Sequence, residues 1–345
     1  MRKLFAPIVL VLIALAGVFT YKDSFNEGRK EIKNVILIGW DGAQRNHMYE
    51  LLDDGKLPYL SELIKEGSLV EIDITTGATH TKPGWAEILT GYGPDITGVY
   101  SNFDYKPIPQ GYTIFERLEE YFGENNIVTM FIGGKINNLG ARGPHKVCTN
   151  CATRDIATRK KTEWWKETTE APARTFNEER IFEEREGEPY YHTKETLDVF
   201  LVELGRGQRV IRKSISYLEE YKDQRFFAFF HFQEPDEEGH IYGENSEEYE
   251  DDMMKVDRWL GEIVSKLKEV EIYKKTAIYV TSDHGFDEDS FHHANAPYIF
   301  LATNSKEVTK NGDRKDITPT ILEDYGVDVE NIFPPLDGTT LYERE

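Results

Sequence analysis

NVILIGWDG (34–42), RFFAFFHFQEPDEEGH (225–240) and TAIYVTSDHGF (276–286) decide the reading of this chain. Each is a run rich in Val, Ile, Phe or Tyr that ends on residue types that bind metals. The first ends on Asp41, the second on Asp236 and His240, the third on Asp283 and His284. Continuous rather than alternating apolar runs mark strands buried on both faces, as in parallel sheets. In an open α/β sheet, sites form in the crevice beyond the carboxyl ends of the strands. Three strands delivering Asp and His to that crevice predict a dinuclear metal site. Carboxylate with neutral imidazole suits zinc, with manganese as the alternative ion.

Outward from these strands, further runs at 69–74, 127–132 and 298–303 also read as strands. Between them lie helical patterns at 57–67, 113–124 and 249–270, and 195–222 reads as one long helix through Leu197, Phe200, Leu201, Val210, Ile211 and Ile215. Alternating strands and helices predict an α/β fold: a three-layer sandwich with a mostly parallel central sheet flanked by helices. The stretch from about 140 to 194 breaks the rhythm and is too long for a plain loop. It is expected to be an inserted cap, with Trp164 and Trp165 anchoring its small core in preference to lining a pocket. Asp236 and His240, four apart with Gly239 between them, are expected on a bent loop that brings both to one ion.

The chain has 345 residues and a net charge of −21, from 62 acidic against 41 basic residues. So acidic a fold is a poor partner for nucleic-acid backbones, whose affinity rests on Lys and Arg neutralising phosphates. Residues 1–20 place Arg2 and Lys3 before an apolar run from Leu4 to Phe19, the pattern of a signal peptide or an N-terminal anchor. Residues 21–33 form a charged linker, and 34–345 the catalytic domain. The protein is therefore expected to be secreted, periplasmic or at the cell surface, touching membrane only through an uncleaved N-terminal segment. Cys148 and Cys151, in HKVCTNCATR, suit a small local disulfide in an exported chain.

GATHTKPGWAEILTGYGPDITGVYSN (77–102) supplies a nucleophile. Pro83 is placed to open a helix reaching about Thr90. Thr81 would sit just before that helix, where backbone N–H groups favour anions. Alone, a Thr at such a place is more often an ordinary helix cap. Beside a metal pair it becomes an activated hydroxyl. SFHHANAPYIFLA (290–302) adds His292 and His293, either of which could complete the ligand set.

Together these segments resemble the alkaline phosphatase superfamily, and within it the nucleotide pyrophosphatase/phosphodiesterase branch. The resemblance covers nearly all of 34–342. VILIGWDG resembles the family's first metal strand, T-K-P at 81–83 followed by ILTG and Asn102 its nucleophile stretch, and QEPDEEGH its E-P-D-x-x-G-H. SDHG resembles its later metal turn, and DITPTILEDYGV (316–327) with PPLDGTTL (334–341) its closing helix and turn. The resemblance implies that Thr81 is the nucleophile, itself a metal ligand, forming a phospho-threonine intermediate. It implies that Asn102 donates to a non-bridging phosphoryl oxygen. Asp236 and His240 would hold one ion, and Asp41, Asp283 and His284 a second. The last ligand is a His before the final strand, and H-x-N-A-P selects His293.

The implied activity is that of an exported phosphohydrolase: a phosphodiesterase or nucleotide pyrophosphatase acting on a small phosphate ester such as a nucleotide. Phosphomonoester or phosphonate hydrolysis is the enzymatic alternative, and a metal-stabilised surface binding protein the non-enzymatic one. The chain departs from the branch at Lys82, where an aromatic that stacks on a base often stands. Lys82 is expected either to meet an anionic substrate group or to point to solvent.

Overall fold

The computed structural model describes residues 32–135, 137–148 and 181–343. Residues 1–20, nearly all of the 21–33 linker, Trp164–Trp165 and Cys151 lie outside them. The readings of an export segment, of the paired tryptophans and of a Cys148–Cys151 disulfide therefore fall outside the described residues. No helix among those described is long and apolar enough to cross a membrane.

The strands are β1 (Asn34–Trp40), β2 (Ser68–Asp73), β3 (Val128–Gly133), β4 (His145–Cys148), β5 (Phe182–Arg185), β6 (Val199–Leu201), β7 (Phe226–Phe232), β8 (Thr276–Thr281) and β9 (Tyr298–Thr303). Seven form one sheet in the order β2-β9-β8-β1-β7-β3-β6. From β8 to β6 every pairing is parallel, and β9 and β2 add an antiparallel edge. All seven residues of β1 are buried, as they are in β7. That is the burial expected of central parallel strands.

Side chains alternate between the two faces of a strand. On one face Ile36, Ile38 and Trp40 pack with Met48, Leu60, Val210 and Leu260. Those residues come from helices Arg45–Asp53, Pro58–Glu66, Gly207–Glu220 and Glu247–Glu269. Toward the other face Gly39 lies under Trp85, whose ring a Cβ there would meet at 2.4 Å. Helices Thr81–Thr90, Ile114–Phe122 and Ile317–Asp324 form that third layer, with Phe115 and Trp85 packed on Phe227 and Phe229. The three-layer expectation is met.

The structure corrects the long helix over 195–222. Val199–Leu201 is the edge strand β6, paired in parallel with Met130–Ile132, and the helix is confined to Gly207–Glu220. Gly205 turns the chain at φ 71°, and Gly207 passes so close to Trp259 that a Cβ would meet its ring at 2.2 Å. Phe200 packs edge-on against Phe131 instead of joining a helical stripe. The described parts of the 140–194 insertion carry a separate two-stranded sheet, β4 with β5. The chain rejoins the core by Tyr190, which is buried against Phe131.

Candidate metal centre

The strands that carry Asp41, Asp236 and Asp283 are neighbours at the middle of the sheet: β8, β1, β7. Their carboxyl ends open on one crevice. Backbone bonds hold the ends in register, with the Asp236 N–H donating to the Asp41 carbonyl at 3.0 Å. The Gly42 N–H donates to Asp283 Oδ1 at 3.2 Å. Gly42 has φ 72°, and a Cβ there would meet Asp236 Cβ at 2.8 Å, so glycine lets the strand ends converge.

Asp236 and His240 lie on the short helix Asp236–Tyr242 and not on the bent loop expected. The i,i+4 spacing stacks both on one helical face. Two triads of potential ligand atoms meet in this crevice. Asp236, His240 and His293 make one; Asp41, Asp283 and His284 make the other. His293 belongs to the first triad, with its Nε2 3.1 Å from His240 Nε2. His292 is exposed, its ring centroid 6.4 Å from that of His240.

Each triad imidazole is oriented by its other nitrogen. His240 Nδ1 donates to the Phe291 carbonyl at 2.7 Å, His293 Nδ1 to that of Thr79 at 2.5 Å, and His284 Nδ1 to that of Gly285 at 3.0 Å. A carbonyl only accepts, so Nδ1 carries the proton and Nε2 presents a lone pair, the arrangement of metal-ligating histidines. Burial holds His284 well below and His293 below the ordinary imidazole range, which keeps both neutral. Asp236 Oδ1, Asp283 Oδ2 and His284 Nε2 are buried without a hydrogen-bond partner. Burial raises the Asp283 carboxyl well above its usual range, with the Asp41 charge adding. Buried polar atoms are rarely left unpaired. Orphaned carboxylate oxygens facing imidazole lone pairs are the donor set that a divalent cation satisfies, so the residues fit the ion pair expected of them.

Thr81 is the first residue of helix Thr81–Thr90, and His80 is its cap, with no side-chain capping bond. The helix therefore starts earlier than Pro83 suggested. Pro83 falls in the first turn, where N–H groups have no helical partner to lose. Thr81 itself is buried. Two residues before it, Thr79 bonds both ways with His293: its hydroxyl donates to the His293 carbonyl and its own carbonyl accepts from the ring. Three residues after it, Gly84 lies against Asp283, where a Cβ would meet Asp283 Cβ at 2.7 Å. The helix start is thereby braced between the two triads. Asn102 Oδ1 accepts from the Lys82 backbone N–H at 2.9 Å, which leaves the Asn102 amide N–H groups to donate elsewhere.

Lys82 does not point to solvent. It is 4% exposed, donates to the Asn137 carbonyl at 2.7 Å, and lies 4.7 Å from the Tyr105 ring centroid. Burial pushes its ammonium down to about 8, with Glu188 opposing and Lys135 adding to the shift.

Several site residues were not read from the sequence. His231 Nε2 donates to Asp41 Oδ2 at 2.8 Å, and Trp85 Nε1 reaches the same oxygen at 3.3 Å. Arg314 is fully buried. Its guanidinium makes two 2.8 Å bonds to Glu87 and also donates to the Asp283, Thr76 and Ala78 carbonyls. It ties the approach to Thr81, the helix behind it and the Asp283 turn together. Lys135, two residues beyond β3, donates to Asp41 Oδ1 at 2.7 Å and to Asp236 Oδ2. Burial opposes its charge, and the Asp236 and Asp41 carboxylates more than offset that, so its pKa is raised. The signal for Lys135 was G-G-K directly after a strand; that for His231 was one imidazole inside an aromatic run.

Against known proteins, the family model described as type I phosphodiesterase / nucleotide pyrophosphatase matches residues 35–320. The bis(5'-adenosyl)-triphosphatase of Homo sapiens is 22% identical over 284 residues, covering 82% of this chain and 53% of the relative. The chain thus spans about half the length of the curated relatives it matches first. Among solved structures, a 2-O glycosaminoglycan sulfatase superposes with a TM-score of 0.58 at 13% identity, covering 90% of this chain and 73% of that one. A lipoteichoic acid synthase from Listeria monocytogenes superposes with a TM-score of 0.51 at 15% identity, covering 90% and 75%. At such identities the superpositions speak to the fold alone, an alkaline-phosphatase-like sheet with flanking helices.

Proposed function

The chain belongs to the type I phosphodiesterase / nucleotide pyrophosphatase family, and on that premise we propose that it is an exported, metal-dependent phosphodiesterase acting through Thr81. The observation that carries this reading is the brace around the helix start: Thr79 is bonded to His293 of one triad and Gly84 abuts Asp283 of the other. A hydroxyl on a helix start braced in this way suits nucleophilic attack on phosphorus.

Asp236, His240 and His293 would hold one divalent ion, zinc or manganese, and Asp41, Asp283 and His284 the other. When bound, the ions supply the positive charge that favours the threonine alkoxide and the departing oxygen. The Thr81 oxygen bonds to phosphorus as the bond to the leaving oxygen breaks, and the leaving alcohol takes a proton. Water then adds to phosphorus, and the bond to Thr81 breaks with return of its proton. One water is consumed per ester cleaved. The Asn102 amide, fixed through its oxygen by the Lys82 N–H, donates to a non-bridging phosphoryl oxygen. Removing a donor of this kind costs ~10²–10³ in rate.

Lys82 stands where a base-stacking aromatic often stands in this branch. Its ammonium is engaged by the Asn137 carbonyl and the Asn138 side chain. Nucleotide esters therefore remain one substrate class among small phosphodiesters.

The test compares rates on bis-p-nitrophenyl phosphate, p-nitrophenyl phosphate and p-nitrophenyl thymidine monophosphate, with metal-reconstituted protein and with Thr81→Ala. The diesters are expected to turn over fastest, and Thr81→Ala to lose at least ~10³-fold while still binding metal. Faster monoester cleavage would make it a phosphatase. A fully active Thr81→Ala would remove the threonine from the mechanism. Export is tested by the N-terminus of the protein recovered from its source cells: loss of about the first 20 residues supports cleavage, and recovery from the cytoplasm with Met1 in place overturns it.

A further inference from the structure

We propose that Lys135 makes the two ion positions unequal: the ion held by Asp236, His240 and His293 binds first and tighter, and the ion held by Asp41, Asp283 and His284 enters only by displacing the Lys135 ammonium from Asp41. The inference rests on reading the two triads as metal positions, and it concerns which oxygens Lys135 occupies.

On Asp236 the lysine uses Oδ2. The oxygen turned into the crevice is Oδ1, which lies 3.4 Å from His240 Nε2, 3.9 Å from His293 Nε2 and 3.8 Å from His284 Nε2 of the second triad, and has no hydrogen-bond partner. The first position is therefore open, and Lys135 only steadies its carboxylate from behind. On Asp41 the situation is reversed. Its Oδ2 is held by His231 and Trp85. Its Oδ1, 3.9 Å from His284 Nε2, is the oxygen turned toward the second triad, and Lys135 sits on it at 2.7 Å. An ion in the second position must take that oxygen from an ammonium. An ion in the first need take nothing.

Lys135 is not a stray surface side chain that happens to reach inward. The strand ladder continues past β3 to deliver it. The Gly134 N–H donates to the His231 carbonyl at 3.0 Å, and the Gly205 N–H donates to the Gly134 carbonyl at 2.8 Å. A Cβ at Gly134 would meet the Gly205 carbonyl oxygen at 2.6 Å, so the backbone there is closely confined. The charges suit such a counter-ion. Asp41, Asp236 and Asp283 bring carboxylates to one buried crevice, and a buried charge is tolerated when paired. Before any metal arrives, Lys135 is the cation that holds two of these carboxylates together.

The test is a zinc titration of the full metal-free chain against a chromophoric chelator, which reads affinity and stoichiometry without turnover. Wild type is expected to bind two ions with dissociation constants at least ~10-fold apart, a gap of ~1.4 kcal/mol. His240→Ala should remove the tighter event and His284→Ala the weaker. Lys135→Met should tighten the weaker event at least ~10-fold, and more than it tightens the first. Lys135→Arg, which keeps the charge, should preserve the gap. Lys135→Gln provides the neutral variant if the methionine protein does not fold. Two equal affinities in wild type would overturn the inference while leaving the metal positions intact. So would a weaker event unchanged or weakened in the neutral variant. Failure of the wild-type chain to bind zinc or manganese at all would overturn both.

Discussion

Asp41 shows how one carboxylate is made to serve two demands. Its two oxygens are divided between neighbours: Oδ2 faces His231 and Trp85, and Oδ1 faces Lys135 and the second triad. Burial disfavours its charge, but Lys135 and His231 more than offset that and hold its carboxyl below the usual range. His231 is fully buried and burial lowers its own pKa, so it is neutral and donates through Nε2. It orients the carboxylate and would not itself touch an ion bound there. His231→Phe keeps an aromatic ring beside Trp85 and Phe229 and deletes only the donor. Outer-shell partners of this kind are worth ~10–100-fold in metal affinity. We expect the ion shared by Asp41, Asp283 and His284 to weaken by that factor in a zinc titration, with the other ion unaffected. Equal weakening of both ions, or of neither, would show that His231 serves packing alone.

Among the elements, the helix Thr81–Thr90 is placed by contact more than by its own propensity. Gly84 in its first turn lets it approach Asp283, and Arg314 binds Glu87 from the far side. Gly84→Ala puts a methyl 2.7 Å from Asp283 Cβ and 2.9 Å from the Asp283 carbonyl oxygen. The helix start must retreat, carrying Thr81 with it, and a displacement of ~1 Å costs ~10²-fold when geometry is the source of rate. The expected result is a kcat reduced by that order with a circular dichroism spectrum like wild type. Undiminished kcat would mean the helix start is not held where we place it. Helix Pro58–Glu66 is positioned differently, by a carboxylate from another helix: buried Asp257 accepts from the Leu60 N–H at 2.7 Å and the Tyr59 N–H at 3.3 Å. Burial nonetheless raises its pKa to about 6. A folded-state pKa above the unfolded value means the folded protein holds the proton more tightly, so this contribution is full below about pH 4 and is lost as pH rises to about 6. Across that window wild type should lose roughly 2–3 kcal/mol of unfolding free energy relative to Asp257→Asn. A difference that stays constant from pH 4 to pH 7 in denaturant titrations would refute the assignment.

For the whole molecule, the sheet order places β8, β1 and β7 side by side, so residues far apart in sequence meet at one crevice. That convergence was legible because each strand is a buried apolar run with its ligand within four residues of its end. Lys135 was not, because a lone lysine after two glycines looks like any turn. Arg314 was not, because its partners Glu87 and Asp283 are joined to it only by the fold. The edge strand β6 was mistaken for helix because Leu197, Phe200 and Leu201 fit helical spacing, and pairing with β3 decides otherwise. The same convergence predicts a stability that depends on metal. Without ions the crevice holds the Asp41, Asp236 and Asp283 carboxylates, all buried, against the one Lys135 ammonium that bonds two of them. An ion that binds the folded chain and not the unfolded one adds ~2.7 kcal/mol at a hundredfold excess over its dissociation constant. Chelation should therefore lower the midpoint of thermal unfolding by several degrees, zinc should restore it, and the restoration should rise with zinc concentration. In Asp283→Asn, which removes one buried ionisable group and one ligand together, the metal-free midpoint should match or exceed that of wild type while the rise on adding zinc shrinks. A midpoint indifferent to chelator in wild type would mean that these carboxylates are not neutralised by ions, and the two triads would lose their meaning as a metal centre.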